Sequence, residues 1–112
     1  MDEEYKFTEI YKLKEMLEIA KIPFVFTDRS VEAVLYKMPN LHLEYPVSGV
    51  MNGRVCSVIQ STISYGRESD LLEIQGLLTE EEMEYDSVVG YLTAENVFGR
   101  IYKHYLEGKL NG

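Results

Sequence analysis

The sequence predicts an α+β fold, in which a small antiparallel sheet of three to five strands packs with an N-terminal and a C-terminal helix. Apolar residues recur at helical spacing near both ends of the chain, and alternating or β-branched segments fill the middle. The chain has 112 residues, 46% of them hydrophobic, with nine tyrosines and only three prolines. This composition is typical of a folded protein of one domain, so we expect residues 1–112 to form a single domain.

The first helix is predicted to run from Thr8, a preferred N-cap residue type, to about Lys21. Its apolar stripe has helical spacing and comprises Ile10, Leu13, Leu17 and Ala20. Pro23 disfavours a helical conformation at the residue before it, which ends the helix. Residues 1–7 are expected to form a ragged N-terminus.

The middle of the chain predicts a strand at residues 24–27 and a β-hairpin from about residue 41 to residue 62. Between them, residues 31–38 fit a helical and an extended pattern equally well. Pro46 ends the first hairpin strand and Arg54 begins the return strand, so we expect a turn within residues 48–53, where Asn52-Gly53 is the strongest two-residue hairpin signal.

The C-terminal half is predicted to contain a loop at residues 64–67, a strand at 71–75, a short helix reaching about residue 85 and a short strand or extended segment at 88–92. A helical turn would also fit residues 71–75. Thr79 and Glu82 have the spacing of a capping box, which marks the start of the short helix. The last helix is expected to be capped by Thr93 and to end at Gly108.

The negative charge of the chain is concentrated in one stretch. The formal net charge is −8, and nine carboxylates but no lysine or arginine lie between Glu68 and Gly99. Such a surface repels a phosphate backbone, which argues against direct nucleic-acid binding, and attracts a basic surface on a protein partner. No apolar run reaches the roughly 20 residues of a membrane span. The single cysteine, Cys56, excludes an internal disulfide, and we expect a cytoplasmic protein.

The sequence contains no catalytic or metal-binding motif. His42 and His104 have no partner at a known ligand spacing, and we expect both to be solvated surface residues. Cys56 lies in a predicted strand close to valines and is expected to pack in the core. We therefore predict that the chain is not an enzyme and needs neither a metal nor a cofactor.

The candidate partner-binding site is the densest carboxylate cluster, which comprises Glu80, Glu81, Glu82, Glu84 and Asp86. Consecutive residues of a helix point about 100° apart, so these groups do not converge on a metal or a substrate. They form either a solvated face that also stabilises the start of the helix, or a docking surface for a basic partner.

A second candidate site is the loop formed by Ser64, Tyr65, Gly66 and Arg67. Its hydroxyls, its glycine and its guanidinium are groups that hydrogen-bond an anion or stack on a ring, as binding of a nucleotide-like small molecule requires. The alternative is a turn whose hydroxyls satisfy neighbouring backbone groups.

Several phrases of the C-terminal half, together with Ile22-Pro23 after the first helix, match a known group of proteins. The phrases are SYG at 64–66, LLEI at 71–74, GLLTEEE at 76–82, YDSVVGYLTAE at 85–95 and VF at 97–98. With them the chain resembles small, uncharacterised proteins encoded by phages and prophages of Gram-positive, mainly Firmicute, bacteria. The resemblance implies a mobile-element accessory protein that acts inside a bacterial cell. It identifies no catalytic or binding residue in this chain.

These observations together predict a non-enzymatic protein that binds and inhibits or modulates a bacterial host protein through its acidic surface, for example as a counter-defence inhibitor. Two alternatives are a protein that sequesters nucleotide-like molecules through the 64–67 loop, and a structural or assembly component of a virion. Apolar residues outside the predicted core leave room for a homodimer through the first helix. They are Tyr5, Phe7, Tyr11 and Ile19.

Overall fold

The computed structural model describes residues 6–32 and 34–111, with the backbone alone for residues 110 and 111. The elements in chain order are α1 (Glu9–Ala20), β1 (Val25–Asp28), β2 (Val31–Glu32), β3 (Lys37–Met38), β4 (Asn40–Tyr45), β5 (Cys56–Ser61), β6 (Leu72–Gln75), α2 (Glu80–Met83), β7 (Val88–Leu92) and α3 (Ala94–Asn111). A helix at each end and strands between them confirm the predicted α+β class.

Five strands form one antiparallel sheet in the order β1-β4-β5-β6-β7. β4 to β7 follow one another as a meander, and β1 pairs with the outer side of β4. The register pairs Leu43 with Val58 and Val58 with Ile74, so these side chains lie in one row across the sheet. β2 and β3 form a separate two-stranded hairpin from residues 31–38, which we call the finger; its Ala33 lies outside the described residues.

One face of the sheet and the inner faces of α1 and α3 form the hydrophobic core. Leu41, Leu43 and Tyr45 are the core-facing alternate residues of β4, and all three are buried. The core members with no exposed surface are Ile10, Leu13, Leu17, Leu43, Val58, Leu72, Ile74, Ala94, Val97 and Ile101. Cys56 is also buried, as predicted, and burial raises the pKa of its thiol to about 12.

The connection between β4 and β5 begins at Pro46 and turns within residues 48–53, as predicted. Strand pairing stops at Tyr45 and Cys56, and residues 46–55 form an excursion that includes a 3₁₀ turn. The buried carboxylate of Glu44 accepts hydrogen bonds from Arg54 (2.9 Å) and Ser48 (2.9 Å) and so holds the excursion against the sheet. The bond from Arg54 is also the main cause of the lowered pKa of Glu44.

The start of α1 is held by residues from the middle of the chain. Thr8 occupies the N-cap position, but its side chain does not cap the helix, contrary to the prediction. The carboxylate of Asp70 accepts from the backbone N–H groups of Thr8 (2.8 Å) and Glu9 (3.2 Å) and from the Thr8 hydroxyl. Gln60 accepts from the N–H of Ile10 (3.0 Å) and donates to Asp70 (2.8 Å). The charged acceptor lies at the positive end of the helix, where it is favoured over a hydroxyl.

The start of α3 is held by α1 in the same manner. The carboxylate of Glu9 accepts from the backbone N–H of Ala94 (2.7 Å), and the hydroxyl of Thr93 accepts from the N–H of Asn96 (3.1 Å), as predicted for a cap. The predicted end at Gly108 is wrong, because the helix continues to Asn111. Gly108 stays in the helical conformation; a glycine inside a helix costs only about 1 kcal/mol, which a long helix tolerates.

Two of the apolar residues expected outside the core pack within the protein. Phe7 is buried, so the predicted ragged end does not include it. The half-exposed ring of Tyr11 lies 5.4 Å from that of Phe26. Ile19 is exposed, and Tyr5 lies outside the described residues.

Replacing Asp70 by asparagine removes the charge at the start of α1 while keeping the shape of the side chain. We expect the free energy of unfolding to fall by about 1–2 kcal/mol, as for the loss of a helix cap. Urea denaturation at neutral pH measures the change. Glu15→Gln, an exposed carboxylate on the same helix, is the control and should change the stability by less than about 0.5 kcal/mol. Equal effects of the two substitutions would contradict the assigned role of Asp70.

The same variant should show a defined dependence on pH. Burial by itself raises the pKa of Asp70, but hydrogen bonds from Thr8, Gln60 and Glu9 outweigh burial and leave the pKa below 3.8. A carboxylate with a depressed pKa in the folded state stabilises the fold above its unfolded pKa, and this contribution is lost as the pH falls through the folded pKa. The stability difference between wild type and Asp70→Asn should therefore shrink as the pH is lowered below about 4.

Candidate functional site

The helix α2 is a single turn whose start is fixed by reciprocal hydrogen bonds. The hydroxyl of Thr79 accepts from the backbone N–H of Glu82 (3.1 Å), and the Glu82 carboxylate accepts from the N–H of Thr79 (2.9 Å). This is the predicted capping box. The helix ends at Met83, two residues before the predicted limit.

Glu82 is held by α3 and does not belong to the exposed carboxylates. Both of its oxygens accept from the guanidinium of Arg100, each at 2.8 Å. Arg100 also donates to the carbonyl of Leu77 (3.0 Å), so it ties α3 to the turn before α2 as well as to α2 itself. The hydrogen bonds from Arg100 are the main reason that the pKa of Glu82 falls to about 2. The sequence prediction placed Glu82 in a binding surface, whereas the structure gives it a bidentate partner within the fold.

The other four carboxylates of the predicted cluster are exposed and lie close in sequence to an exposed tyrosine. Glu80, Glu81, Glu84 and Asp86 are all exposed, and within residues 6–32 and 34–111 none of them forms an ion pair. Tyr85 lies among them and is 86% exposed. We call these five residues the acidic surface.

The remaining carboxylates of the stretch between residues 68 and 99 have partners within the fold. The pairs are Glu68 with the Tyr91 hydroxyl, Asp70 with the start of α1, Glu73 with the N–H of Tyr65, Glu82 with Arg100, and Glu95 with Lys12. Of the four exposed carboxylates, Asp86 accepts from the backbone N–H of its neighbour Ser87 (2.6 Å). The acidic stretch therefore divides into carboxylates with partners elsewhere in the fold and four exposed ones with no cationic partner among the described residues.

An open groove of about 480 Å³ lies beside the acidic surface, between the end of β6 and α2. Leu77, Leu78 and Met83 contribute its apolar lining, and Asp86 lies at its border. The turn that forms the floor depends on Gly76, whose φ is +96°. A Cβ atom at this position would lie 2.4 Å from the carbonyl oxygen of Val55, the residue before β5. No larger residue therefore fits without a shift of the backbone.

The second predicted site, the loop of residues 64–67, uses most of its polar groups internally. Ser64 is buried; its hydroxyl donates to the carbonyl of Ser61 (3.1 Å) and accepts from the N–H of the same residue (3.0 Å). Arg67 donates to the carbonyl of Ser64 (3.1 Å). Gly66 has a φ of +99° and packs closely against neighbouring backbone, while the ring of Tyr65 is half exposed. The contacts are those of a turn that satisfies its own backbone.

Neither histidine is a fully solvated surface residue, contrary to the prediction. His104 Nδ1 lies 2.8 Å from the hydroxyl oxygen of Tyr45, and His42 Nε2 lies 2.8 Å from the side-chain oxygen of Asn40. Partial burial lowers the pKa of His42. Within the described ranges, no group of three or more His, Cys, Asp or Glu residues is placed to hold a metal ion.

Replacing Glu82 by glutamine should weaken the contact between α2 and α3. We expect a loss of about 1 kcal/mol in the free energy of unfolding, since the pair is partly exposed to solvent and screened by it. Glu81→Gln, its neighbour on the same helix turn, is the control and should have little effect. Because the folded pKa of Glu82 is about 2 against an ordinary 4.5, the difference between wild type and Glu82→Gln should disappear as the pH falls from 4.5 towards 2. A difference that does not change over this range would contradict the assignment.

Among the described residues, no helix has both the length and the apolar composition needed to cross a membrane. Comparison of the chain with protein-family models, with curated proteins and with solved structures finds no match.

Proposed function

We propose that this chain is a non-enzymatic binding protein whose acidic surface docks onto a basic surface of a protein partner. The observation that carries the proposal is the group of four exposed carboxylates around the exposed ring of Tyr85. Carboxylates that only stabilise the fold have partners within it, as Glu82 and Asp70 do. The four around Tyr85 have no cationic partner in the described part of the chain and are therefore available to one outside it.

The arrangement combines two features of protein-binding surfaces. A local concentration of like charge steers a complementary partner and raises the rate of association. A tyrosine supplies an apolar ring with a polar end, and tyrosine is among the residues that most often dominate binding energy. Together they favour a partner that offers an apolar pocket surrounded by lysine or arginine.

The acidic surface is held in place before any partner arrives. The capping box fixes the start of α2, and Arg100 joins Glu82 to the long helix α3. A binding segment that is already ordered loses less conformational entropy on association, so more of the contact energy contributes to affinity.

The resemblance to phage and prophage proteins implies that the partner is a protein of the bacterial host cell. A basic surface on such a protein commonly serves to bind nucleic acid. Occupation of that surface by carboxylates, which take the places of phosphates, would inhibit the host protein. This would make the chain an inhibitor or a counter-defence factor.

No contact of the 64–67 loop supports the alternative of nucleotide sequestration. Ser64 and Arg67 bond to backbone groups of the loop, and Gly66 packs against backbone. The half-exposed ring of Tyr65 and the partly exposed guanidinium of Arg67 are the accessible groups of the loop.

Charge reversal tests the proposal. A variant with Glu80, Glu81, Glu84 and Asp86 all changed to lysine, and with Glu82 left intact, should lose capture of host proteins from a bacterial lysate at low salt. The binding constant of the captured and purified partner for this variant should fall at least tenfold, because attraction becomes repulsion. Capture by the wild type should weaken as salt is added.

A matched variant separates a local effect from an effect of net charge. Changing four exposed carboxylates elsewhere, Glu15, Glu18, Glu32 and Glu107, to lysine alters the net charge equally and should leave capture largely intact. Capture that survives reversal of the acidic surface at low salt, or that is lost equally in both variants, would contradict the proposal.

Tyr85→Ala tests the apolar part of the surface. We expect a loss of about 2 kcal/mol in binding free energy for the purified partner, as at an interface hot spot. Because the side chain is 86% exposed, the free energy of unfolding should change by less than about 0.5 kcal/mol. Isothermal titration calorimetry and urea denaturation measure the two quantities. A wild-type affinity in this variant would remove Tyr85 from the proposed site.

A further inference from the structure

The excursion between β4 and β5 presents the pair Asn52-Gly53 to solvent, and both residues are exposed. A Cβ atom built on Gly53 would meet nothing within 4 Å apart from its chain neighbours, so the space around this backbone is open. Asparagine belongs to the chemically labile residue types. Its side-chain amide is attacked most readily by the next backbone nitrogen when glycine follows, because glycine has no side chain to hinder the approach.

The reaction at such a pair needs only water. Hydroxide removes the proton of the Gly53 N–H, and the nitrogen forms a bond to Cγ of Asn52. The bond from Cγ to Nδ2 breaks, and Nδ2 leaves as ammonia with a proton from water, which returns the hydroxide. Water then opens the cyclic imide, giving aspartate by attack at Cγ or isoaspartate by attack at the main-chain carbonyl carbon. The sum is the replacement of –NH₂ by –OH.

Two hydrogen bonds hold the reacting groups, and both lie at the surface. Asn52 Nδ2 donates to the carbonyl of Ser48 (3.1 Å), and the N–H of Gly53 donates to the carbonyl of Val50 (3.1 Å). The 3₁₀ turn that contains Asn52 has no buried residue, so local opening costs little free energy. Because Cγ and the attacking nitrogen belong to neighbouring residues, rotation about the bonds of Asn52 then brings them together.

Two of the other three asparagines precede a bulky, buried residue. Asn40 is followed by Leu41 in β4, and Asn96 is followed by Val97 inside α3. Their next backbone nitrogens are therefore hindered by a side chain and held in regular structure. Asn111 is also followed by a glycine, Gly112, which lies outside the described residues. This second pair gives a reference of the same local sequence.

Conversion of Asn52 changes a turn that backbone hydrogen bonds close. The N–H groups of Asn52 and Arg54 both donate to the carbonyl of Gly49 (3.0 and 3.2 Å). A carboxylate at position 52 cannot donate to the Ser48 carbonyl, and its charge competes for Arg54, the cation that Glu44 binds. Isoaspartate also inserts a methylene into the main chain of the turn, so these bonds cannot all be kept.

We propose that Asn52 is a modification site, at which water spontaneously converts the side-chain amide into a carboxylate and thereby loosens the hold of Glu44 on the excursion. The reaction requires no enzyme, and it is faster at higher pH because hydroxide removes the proton of Gly53. The modified fraction therefore grows with the age of the molecule. The inference is independent of the proposed function, since residues 46–55 include no part of the acidic surface.

Tandem mass spectrometry of the folded protein, sampled during incubation at mildly alkaline pH, tests the site. The mass gain of the exchange of –NH₂ for –OH should accumulate at Asn52 at least about tenfold faster than at Asn40 and Asn96. A methyltransferase specific for isoaspartate should label the same peptide. Asn52→Gln should abolish this signal and keep that of Asn111, which shows that the assay detects the reaction. A smaller ratio than tenfold would overturn the inference.

Hydrogen exchange tests the structural consequence. The modified protein carries an additional negative charge, so anion exchange separates it from the unmodified form. In the modified form the N–H of Arg54 should exchange at least about tenfold faster, whereas the N–H of Val58 inside β5 should exchange as before. Equal exchange at Arg54 in the two forms, or an equal acceleration at Val58, would overturn the proposed loosening of the excursion.

Discussion

A single carboxylate, that of Asp70, is the constraint on which the arrangement of the helices depends. It accepts hydrogen bonds from the start of α1 and from Gln60 on the central strand β5, so it joins a helix to the sheet. α1 in turn positions α3, because the Glu9 carboxylate accepts a hydrogen bond from the backbone N–H of Ala94 at the start of α3. Two helix starts, each with backbone N–H groups that lack helical partners, are thus satisfied by acidic side chains from distant parts of the chain.

This use of carboxylates changes the meaning of the net charge of −8. A bulk value of this kind describes solubility and long-range attraction and gives no position. In the fold, Asp70, Glu82 and Glu44 each accept several hydrogen bonds and stabilise a particular connection. The four exposed carboxylates close to Tyr85 have no cationic partner among the described residues, so a partner would meet their negative charge.

The sequence was informative where local rules decide the structure. The stripe on α1 and the spacing of Thr79 and Glu82 depend on residues a few positions apart, and both are found as predicted. In β4 the apolar residues alternate as predicted, but Glu44 between them is buried as well. Prediction from the sequence failed where a residue far away in sequence supplies the hydrogen-bond partner. The cap on α1 comes from Asp70, and the excursion after Tyr45 is held by Glu44 through Arg54.

The candidate site shows the same limit. Four members of the acidic cluster are exposed as a docking surface requires, but nothing local in the sequence indicates that Glu82 pairs with Arg100. The sequence did not distinguish a helix from strands in the finger, because its two strands of two residues each are too short to show a period. The run Val34-Leu35-Tyr36 between two charged residues, Glu32 and Lys37, is the signal that could have identified it.

The hydrogen bonds at the starts of α1 and α3 join residues that are far apart in sequence, and this bears on the order in which the chain folds. Thr8 and Asp70 are separated by 62 positions, and Glu9 and Ala94 by 85. Contacts of such separation form slowly, because a large loop must close before they contribute. The hairpin and the meander of β4 to β7 close much shorter loops. We therefore expect α1, which is synthesised before β4 to β7, to pack into its final position only after these strands have brought Gln60 and Asp70 together.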